Sequence, residues 1–187
     1  MPSHIKIKTE GPRIEKLLAP YRQDLGEDFQ RYRNHVYRTT TYAMHLLGNE
    51  EQHEALVETA FVYHDIALWT HKEMAYLEPS AALALRDNEQ QQWGLEPQLL
   101  QDAIHWHHKI TPFDGPNAEV VNACRKADWI DVSYGIIRHG ISSRNIRKVR
   151  QAFPYLGFYN MLVASTKRNT GSYMLGTARV LRGILKW

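Results

Sequence analysis

The sequence predicts an all-α fold, a single domain of about seven to nine helices. Apolar residues recur three and four positions apart along most of the chain, which is the spacing of one face of a helix. Glycine and proline cluster between these segments, and no alternating run is long enough to anchor a sheet. With 187 residues, 43% of them hydrophobic, the chain can bury a sizeable core.

The first helices are predicted from periodicity and from their end signals. Apolar residues at helical spacing indicate a short helix over 13–23 and a longer one over 27–47. Gly48 then supplies a common C-terminal stop. The third helix is predicted over 50–69, so that it includes the adjacent residues His64 and Asp65.

Loops and helices alternate in the rest of the chain. Residues 70–79 have the composition of a loop, after which Ser80 can cap a helix over 81–92. Pro97 suits the first turn of a helix over 97–108. Four further helices are expected, at 117–132 with Asn117 as its cap, and near 143–152, 157–168 and 172–186.

The charge and composition argue against several classes of protein. A net charge of +3 and a pI near 8.9 are only mildly basic, which does not indicate nucleic-acid binding but suits an anionic small molecule. The single Cys124 fits a reducing compartment, and we see neither a signal peptide nor a membrane span, so we expect a cytoplasmic protein that does not bind membranes. The basic residues of the C-terminal third are interpreted as a solvated face; they include Arg144, Arg147, Lys148 and Arg150.

An imidazole and a carboxylate lie side by side at His64 and Asp65, within an apolar run from Phe61 to Leu68. Buried polar groups need partners, because an unpaired one is costly. A divalent metal ion would satisfy both groups at once, since imidazole nitrogen and carboxylate oxygen are both good ligands. The pair therefore predicts a metal site, provided that other segments supply more ligands.

Two other segments supply candidates of the same kind. His35 lies midway along the long second helix, and Asp128 lies near the end of a buried-looking helix. Together with His64 and Asp65 they form a set of two histidines and two carboxylates. Such a set suits a divalent ion such as Mn²⁺, Fe²⁺, Co²⁺, Ni²⁺, Zn²⁺ or Mg²⁺, and the absence of thiolates argues against a structural zinc site.

Each residue of this set also has a simpler interpretation. His35 can be a surface histidine, and Asp65 can merely orient the imidazole of His64. Asp128 can pair with Arg125 or Lys126 at a helix end.

The order of a lone histidine, an adjacent His-Asp and a distant aspartate resembles the HD-domain superfamily of metal-dependent phosphohydrolases. The resemblance rests on His35, His64-Asp65 and Asp128 and covers residues 28–135. It implies an all-helical core that binds one metal ion through these four side chains. Residues 136–187 would then be a helical extension of a single domain over 1–187.

A further segment is similar to the HD-GYP branch of that superfamily. Trp106-His107-His108-Lys109, followed by Asp114-Gly115, looks like the His-His-Glu…Asp-Gly segment in which a histidine helps to bind a second metal ion. Glu78 stands before a proline where that branch has a histidine ligand. The resemblance therefore implies His107, His108 and Glu78 as candidates for a second metal site. Lys109 replaces the acidic residue and no Gly-Tyr-Pro follows, so cyclic-dinucleotide hydrolysis is not predicted.

The predicted activity is hydrolysis of a phosphomonoester or nucleotide by a metal-activated water. Asp65 and Asp128 are the expected catalytic carboxylates, because an aspartate beside the ion can orient or deprotonate that water. Cationic side chains should bind the phosphate oxygens, and the candidates are Arg31, Arg38, Lys72 and Lys109.

Two other functions remain open. One is a di-iron oxygenase of the HD type, which needs six protein ligands that His107 and Glu78 would complete. The other is a non-catalytic module that senses a nucleotide. The aromatic run over 153–159 is expected to be either core or an interface of a homo-oligomer.

Overall fold

In a computed structural model, residues 4–71 and 75–159 are described, and this part of the chain is helical and contains no strand. The helices are α1 (Pro12–Leu18), α2 (Arg22–Leu25), α3 (Phe29–Leu46), α4 (Glu51–Tyr63), α5 (Ala67–Thr70), α6 (Leu77–Gln90), α7 (Pro97–Trp106), α8 (Ala118–Val132) and α9 (Ser143–Ala152). The all-α prediction is thus confirmed. Six of these helices have ten residues or more, slightly fewer than predicted, and the helices predicted at 157–168 and 172–186 lie outside the described residues from 160 onward.

Helix α6 begins earlier than its sequence suggested. It starts at Leu77, so Ser80 lies within its first turn and does not cap it. The Ser80 hydroxyl is buried and accepts a hydrogen bond of 3.2 Å from the backbone N–H of Ala67. A serine that looked like a local helix signal therefore joins α6 to α5 through a tertiary contact.

The His64-Asp65 pair lies just beyond a helix, where a continuous helix was predicted. Helix α4 ends at Tyr63, and the next helical residues belong to the short α5. Between them the backbone forms i,i+3 hydrogen bonds, from Ile66 N–H to the Tyr63 carbonyl (3.1 Å) and from Leu68 N–H to the Asp65 carbonyl (3.0 Å). This tighter turn carries both side chains of the pair at the end of α4.

Helix α3 is buried along most of its length and packs against both α4 and α8. Its residues from Asn34 to His45 are all buried, including several polar ones. The Tyr32 hydroxyl donates to the Val62 carbonyl at 2.9 Å and so fixes α3 beside the last turn of α4. Phe153 and Phe158 are also buried in the core, which places the aromatic run after α9 against these helices.

The loop after α8 depends on a glycine at 135. Gly135 has φ +75°, and a Cβ atom there would lie 2.7 Å from Cγ2 of Ile146 on α9. Gly94 has a similar φ of +69° but nothing within 4 Å of the same position. The two glycines therefore separate the cost of the backbone conformation from the cost of the close approach.

We expect Gly135→Ala to destabilise the protein more than Gly94→Ala. Both variants pay on the order of 1 kcal/mol for an alanine in the left-handed region. Gly135→Ala should lose about 1–3 kcal/mol more, because α9 must shift to admit the methyl group. Urea unfolding followed by circular dichroism measures both, and equal losses would show that the α8–α9 loop is free to move.

Candidate metal centre

Four predicted ligands come from the three elements that surround the centre of the fold. His35 lies on α3, His64 and Asp65 lie in the turn after α4, and Asp128 lies on α8. Because α3 packs against both of the other helices, these separate segments present their side chains to one buried point. His35, His64 and Asp65 form a group whose ligand atoms all lie within 4.8 Å of one another, and such a group can hold a metal ion.

The distances within this cluster are short. The Nε2 atoms of His35 and His64 are 3.0 Å apart. Oδ2 of Asp65 lies 3.2 Å from Nε2 of His64 and 3.9 Å from Nε2 of His35. Oδ1 of Asp128 lies 3.7 Å from Nε2 of His35, which brings the fourth predicted ligand to the same group.

The other ring nitrogen of each histidine determines which atoms face the centre. Nδ1 of His35 donates to Oδ2 of Asp131 at 2.7 Å, and Nδ1 of His64 donates to the carbonyl of Phe61 at 2.7 Å. A carboxylate and a carbonyl can only accept, so both Nδ1 atoms carry the hydrogen. In the neutral rings both Nε2 atoms are then unprotonated, and their lone pairs point at each other.

Two lone pairs facing each other at 3.0 Å repel unless something positive lies between them. The pKa shifts of the cluster show the same preference for positive charge. Burial alone would lower the pKa of His64, but the Asp65 carboxylate raises it above its usual value. Burial would raise the pKa of Asp65, yet His64 holds it well below the usual range. The cluster is therefore arranged to stabilise positive charge at its centre.

The buried charges also favour a divalent ion. Asp65, Asp128 and Asp131 are all buried, whereas Arg38 is the buried cation that pairs with one of them. Within this cluster, three carboxylates and one guanidinium leave an excess of two negative charges when the histidines are neutral. The other two buried charged groups of the described chain bond elsewhere, Glu58 to Lys8 and Arg125 to Asn122. Burial raises the pKa of Asp128, as expected for a carboxylate without a full counter-charge. A divalent cation on the Nε2 and carboxylate oxygen atoms would balance this excess, so the residues present fit such an ion.

Asp131 was not predicted from the sequence, and it is the group that orients His35. Its side chain is fully buried and accepts hydrogen bonds from His35 at 2.7 Å and from the Tyr159 hydroxyl at 2.8 Å. Arg38 donates to both of its oxygens, at 2.7 and 2.9 Å. A carboxylate behind a ligating histidine fixes the ring and increases its basicity.

The structure therefore corrects the role of Arg38. We expected this residue to bind phosphate, but its guanidinium is fully buried and is bonded to Asp131 and to the carbonyl of Phe153 at 3.0 Å. Burial opposes the charge of Arg38, but Asp131 raises its pKa above the usual value, so the pair stays ionised. A usable signal for Asp131 existed, because it follows Asp128 by three residues and shares its helix face.

The second predicted segment also reaches the cluster. His107 is buried, its Nδ1 donates to the Ile104 carbonyl at 2.6 Å, and its Nε2 lies 3.5 Å from Oδ1 of Asp65. Nδ1 of His108 lies 3.0 Å from the same Nε2 atom, and burial lowers the pKa of His108 to about 3. Asp65 thus faces His64 with one oxygen and His107 with the other.

The remaining candidates lie elsewhere or are otherwise engaged. The Glu78 side chain is 82% exposed and lies 3.4 Å from His105, so it is not brought to His107. Arg31 is bonded to Asp28 at 2.6 Å and to the carbonyl of Leu156 at 2.9 Å. Burial lowers the pKa of Lys109. Lys72 lies outside the described residues, and phosphate binding by Lys72 or Lys109 stays a prediction.

Comparison of the chain with protein-family models, with curated proteins and with solved structures finds no match. Across residues 4–71 and 75–159, the helices are too short or too polar to cross a bilayer. The chemistry of the cluster therefore rests on its own geometry.

We expect Asp131→Asn to lower metal affinity about 10–100-fold, because His35 loses the carboxylate that orients it. The free energy of unfolding should fall by about 3–5 kcal/mol, since Arg38 is left without a counter-charge. Isothermal titration with Mn²⁺ and urea unfolding measure the two effects.

Two further variants make this result interpretable. Tyr159→Phe removes one donor to Asp131 and keeps the ion pair, so it should weaken Mn²⁺ binding slightly in a folded protein. Asp87→Asn makes the same chemical change at a carboxylate bonded to Tyr63 at 2.6 Å, and it should leave Mn²⁺ binding unchanged. Wild-type affinity in folded Asp131→Asn would refute the orienting role.

Proposed function

We propose that the protein is a metal-dependent phosphohydrolase of the HD type that acts on a phosphomonoester or a nucleotide. The observation that carries the proposal is the pair of Nε2 lone pairs of His35 and His64, 3.0 Å apart. They lie beside the carboxylates of Asp65 and Asp128, in a buried cluster whose excess negative charge a divalent cation would balance.

The roles of the side chains follow from their positions. His35 and His64 are each about 1% exposed and would hold the ion from the protein side. Asp65 and Asp128 are 7% and 8% exposed, so solvent and substrate would reach the cluster from the side of these two carboxylates. When bound, a divalent ion there would lower the pKa of a water molecule and polarise a phosphoryl oxygen. The two carboxylates would orient that water and accept its proton.

The resemblance to the HD superfamily supports the choice of phosphohydrolysis. Its residues occur in the order His35, His64-Asp65, Asp128, and all four belong to the same buried cluster. The net charge of +3 is compatible with an anionic substrate. Of the four predicted phosphate ligands, Arg38 is bonded to Asp131 and Arg31 to Asp28, which leaves Lys109 and Lys72 as the candidates.

An oxygenase with two irons is the second candidate, and one observation favours it. Nε2 of His107 lies 3.5 Å from Oδ1 of Asp65, the oxygen that does not face His64, so Asp65 could bridge two ions. His108 lies beside His107, with its Nδ1 atom 3.0 Å from the same Nε2 atom. The exposed Glu78 does not join this set, which leaves the second position with fewer ligands than an oxygenase needs. Metal content separates the oxygenase from the hydrolase, because an oxygenase should retain about two irons per chain. Turnover separates the third possibility, a nucleotide sensor, because a sensor should bind a nucleotide without hydrolysing it.

The test is phosphate release from a panel of nucleotides and sugar phosphates with Mn²⁺, Co²⁺ or Ni²⁺. We expect metal-stimulated release that stops on addition of a chelator. Asp65→Ala should abolish release and reduce metal retention by more than the ~10–100-fold that loss of an outer partner causes. Elemental analysis and far-ultraviolet circular dichroism report metal content and folding on the same samples.

Asp102→Ala is the matched control, because this α7 aspartate bonds only to Gln98 among the described residues. It should retain both metal and activity. Unchanged metal content in Asp65→Ala would refute the metal site, and a metal-loaded protein that releases no phosphate from any substrate would refute the hydrolase.

A further inference from the structure

A cavity lies between the loop after α8 and helix α9, and none of the proposed metal ligands lines it. Its volume is about 570 Å³, within the range of small-molecule sites. The described residues that line it are Tyr134, Gly135, Ser143, Ile146, Arg147, Arg150, Gln151, Pro154 and Tyr155. It combines two cations, two aromatic rings and two neutral polar side chains, and none of these described residues is acidic.

The two arginines of the cavity lack the carboxylate partner that several other arginines of the described chain have. Arg33, Arg38 and Arg86 each pair with a carboxylate at 2.7 Å. Within residues 4–71 and 75–159, Arg147 makes no hydrogen bond or ion pair, and Arg150 donates only to the neutral carbonyl of Tyr134 at 3.3 Å. Two guanidinium groups on one face of α9 thus converge on a cavity with no described counter-charge.

Two aromatic rings, those of Tyr134 and Tyr155, also line the cavity. The rings of Tyr134 and Tyr155 have centroids 4.6 Å apart, and the guanidinium of Arg150 lies 5.0 Å from the centre of the Tyr155 ring. Arg38 covers Tyr155 at 4.0 Å and so helps to fix its position from the core. Tyr134 remains 41% exposed, which leaves ring surface available to a ligand.

The backbone holds Tyr134 in this position at some cost. Tyr134 has φ +54°, a conformation that is unfavourable for a bulky residue, and Gly135 follows with φ +75°. The close approach of Gly135 to Ile146 fixes this loop against α9. Strained residues of this kind cluster at ligand sites, and here the strain directs an exposed ring toward two arginines.

We propose that this cavity binds a small phosphate ester that carries a planar ring. Arg147 and Arg150 would neutralise the phosphate dianion, and the Ser143 hydroxyl and the Gln151 amide offer neutral hydrogen bonds. The ring of the ligand would stack on the exposed ring of Tyr134, which Tyr155 supports from behind. This assigns to Arg147 and Arg150 a specific role within what the sequence presented as a solvated basic face.

The experiment measures binding of adenosine monophosphate to the full chain by isothermal titration, with chelator present so that metal-dependent binding does not contribute. Arg147→Gln should raise Kd at least tenfold. Arg144→Gln removes the same charge from an exposed position of α9 that does not line the cavity, and its Kd should stay within twofold of wild type. Adenosine and inorganic phosphate should each bind more weakly than the ester, because each lacks one half of it.

The outcomes separate this site from the metal centre. Asp65→Ala should bind the ester normally, whatever its effect on activity, so the cavity and the hydrolase proposal can fail independently. Equal weakening by Arg144→Gln and Arg147→Gln would show nonspecific attraction and overturn the proposal. Loss of binding in Asp65→Ala, or no binding to wild type at millimolar ester, would overturn it as well. Arg150→Gln serves as a second variant, and circular dichroism verifies that each variant is folded.

Discussion

The buried contact between Asp131 and Arg38 is the interaction on which the rest of the structure depends. It joins α8 to α3, the helix that also packs against α4, through two hydrogen bonds of 2.7 and 2.9 Å. A fully buried ion pair contributes little net stability compared with apolar packing, because both charges lose their water. Its contribution here is geometric, because the carboxylate that accepts hydrogen bonds from Arg38 also accepts one from Nδ1 of His35. One side chain therefore aligns two helices and one imidazole ring.

That alignment makes the cluster a preorganised site. Each histidine has its Nδ1 atom fixed by an acceptor that cannot donate, so the inward-facing atom of each ring is determined before any ligand arrives. Preorganised groups need little rearrangement when charge enters the site, and this is the usual source of strong electrostatic effects in a water-poor interior. The carboxylates of Asp65 and Asp128 complete the set on the side with residual exposure.

Much of this could be predicted from the sequence, and what could not has a common physical cause. Helix α3 and helix α8 follow from apolar spacing, and the ligand order follows from the types of residue in buried-looking segments. The roles of Arg38 and Asp131 depend on a contact between residues 93 positions apart, which no local pattern contains. Likewise, Ser80 is a residue type that commonly caps helices, but its hydroxyl accepts a hydrogen bond from Ala67, the first residue of α5, instead of capping α6. Glu78 stood at a plausible position in the sequence, but α6 directs it to His105.

The wide separation of the ligands along the chain affects how the protein reaches its native state. His35 is 29 residues from His64 and 96 from Asp131, so long loops must close before the site exists. The loop-closure entropy is paid before these contacts form, which makes them late events in folding. Until then the negative charges of Asp65, Asp128 and Asp131 approach one another with few positive charges to balance them. If the cluster binds a cation as proposed, capture at that stage would stabilise the folding chain, and the supply of metal during synthesis would then affect the yield of native protein.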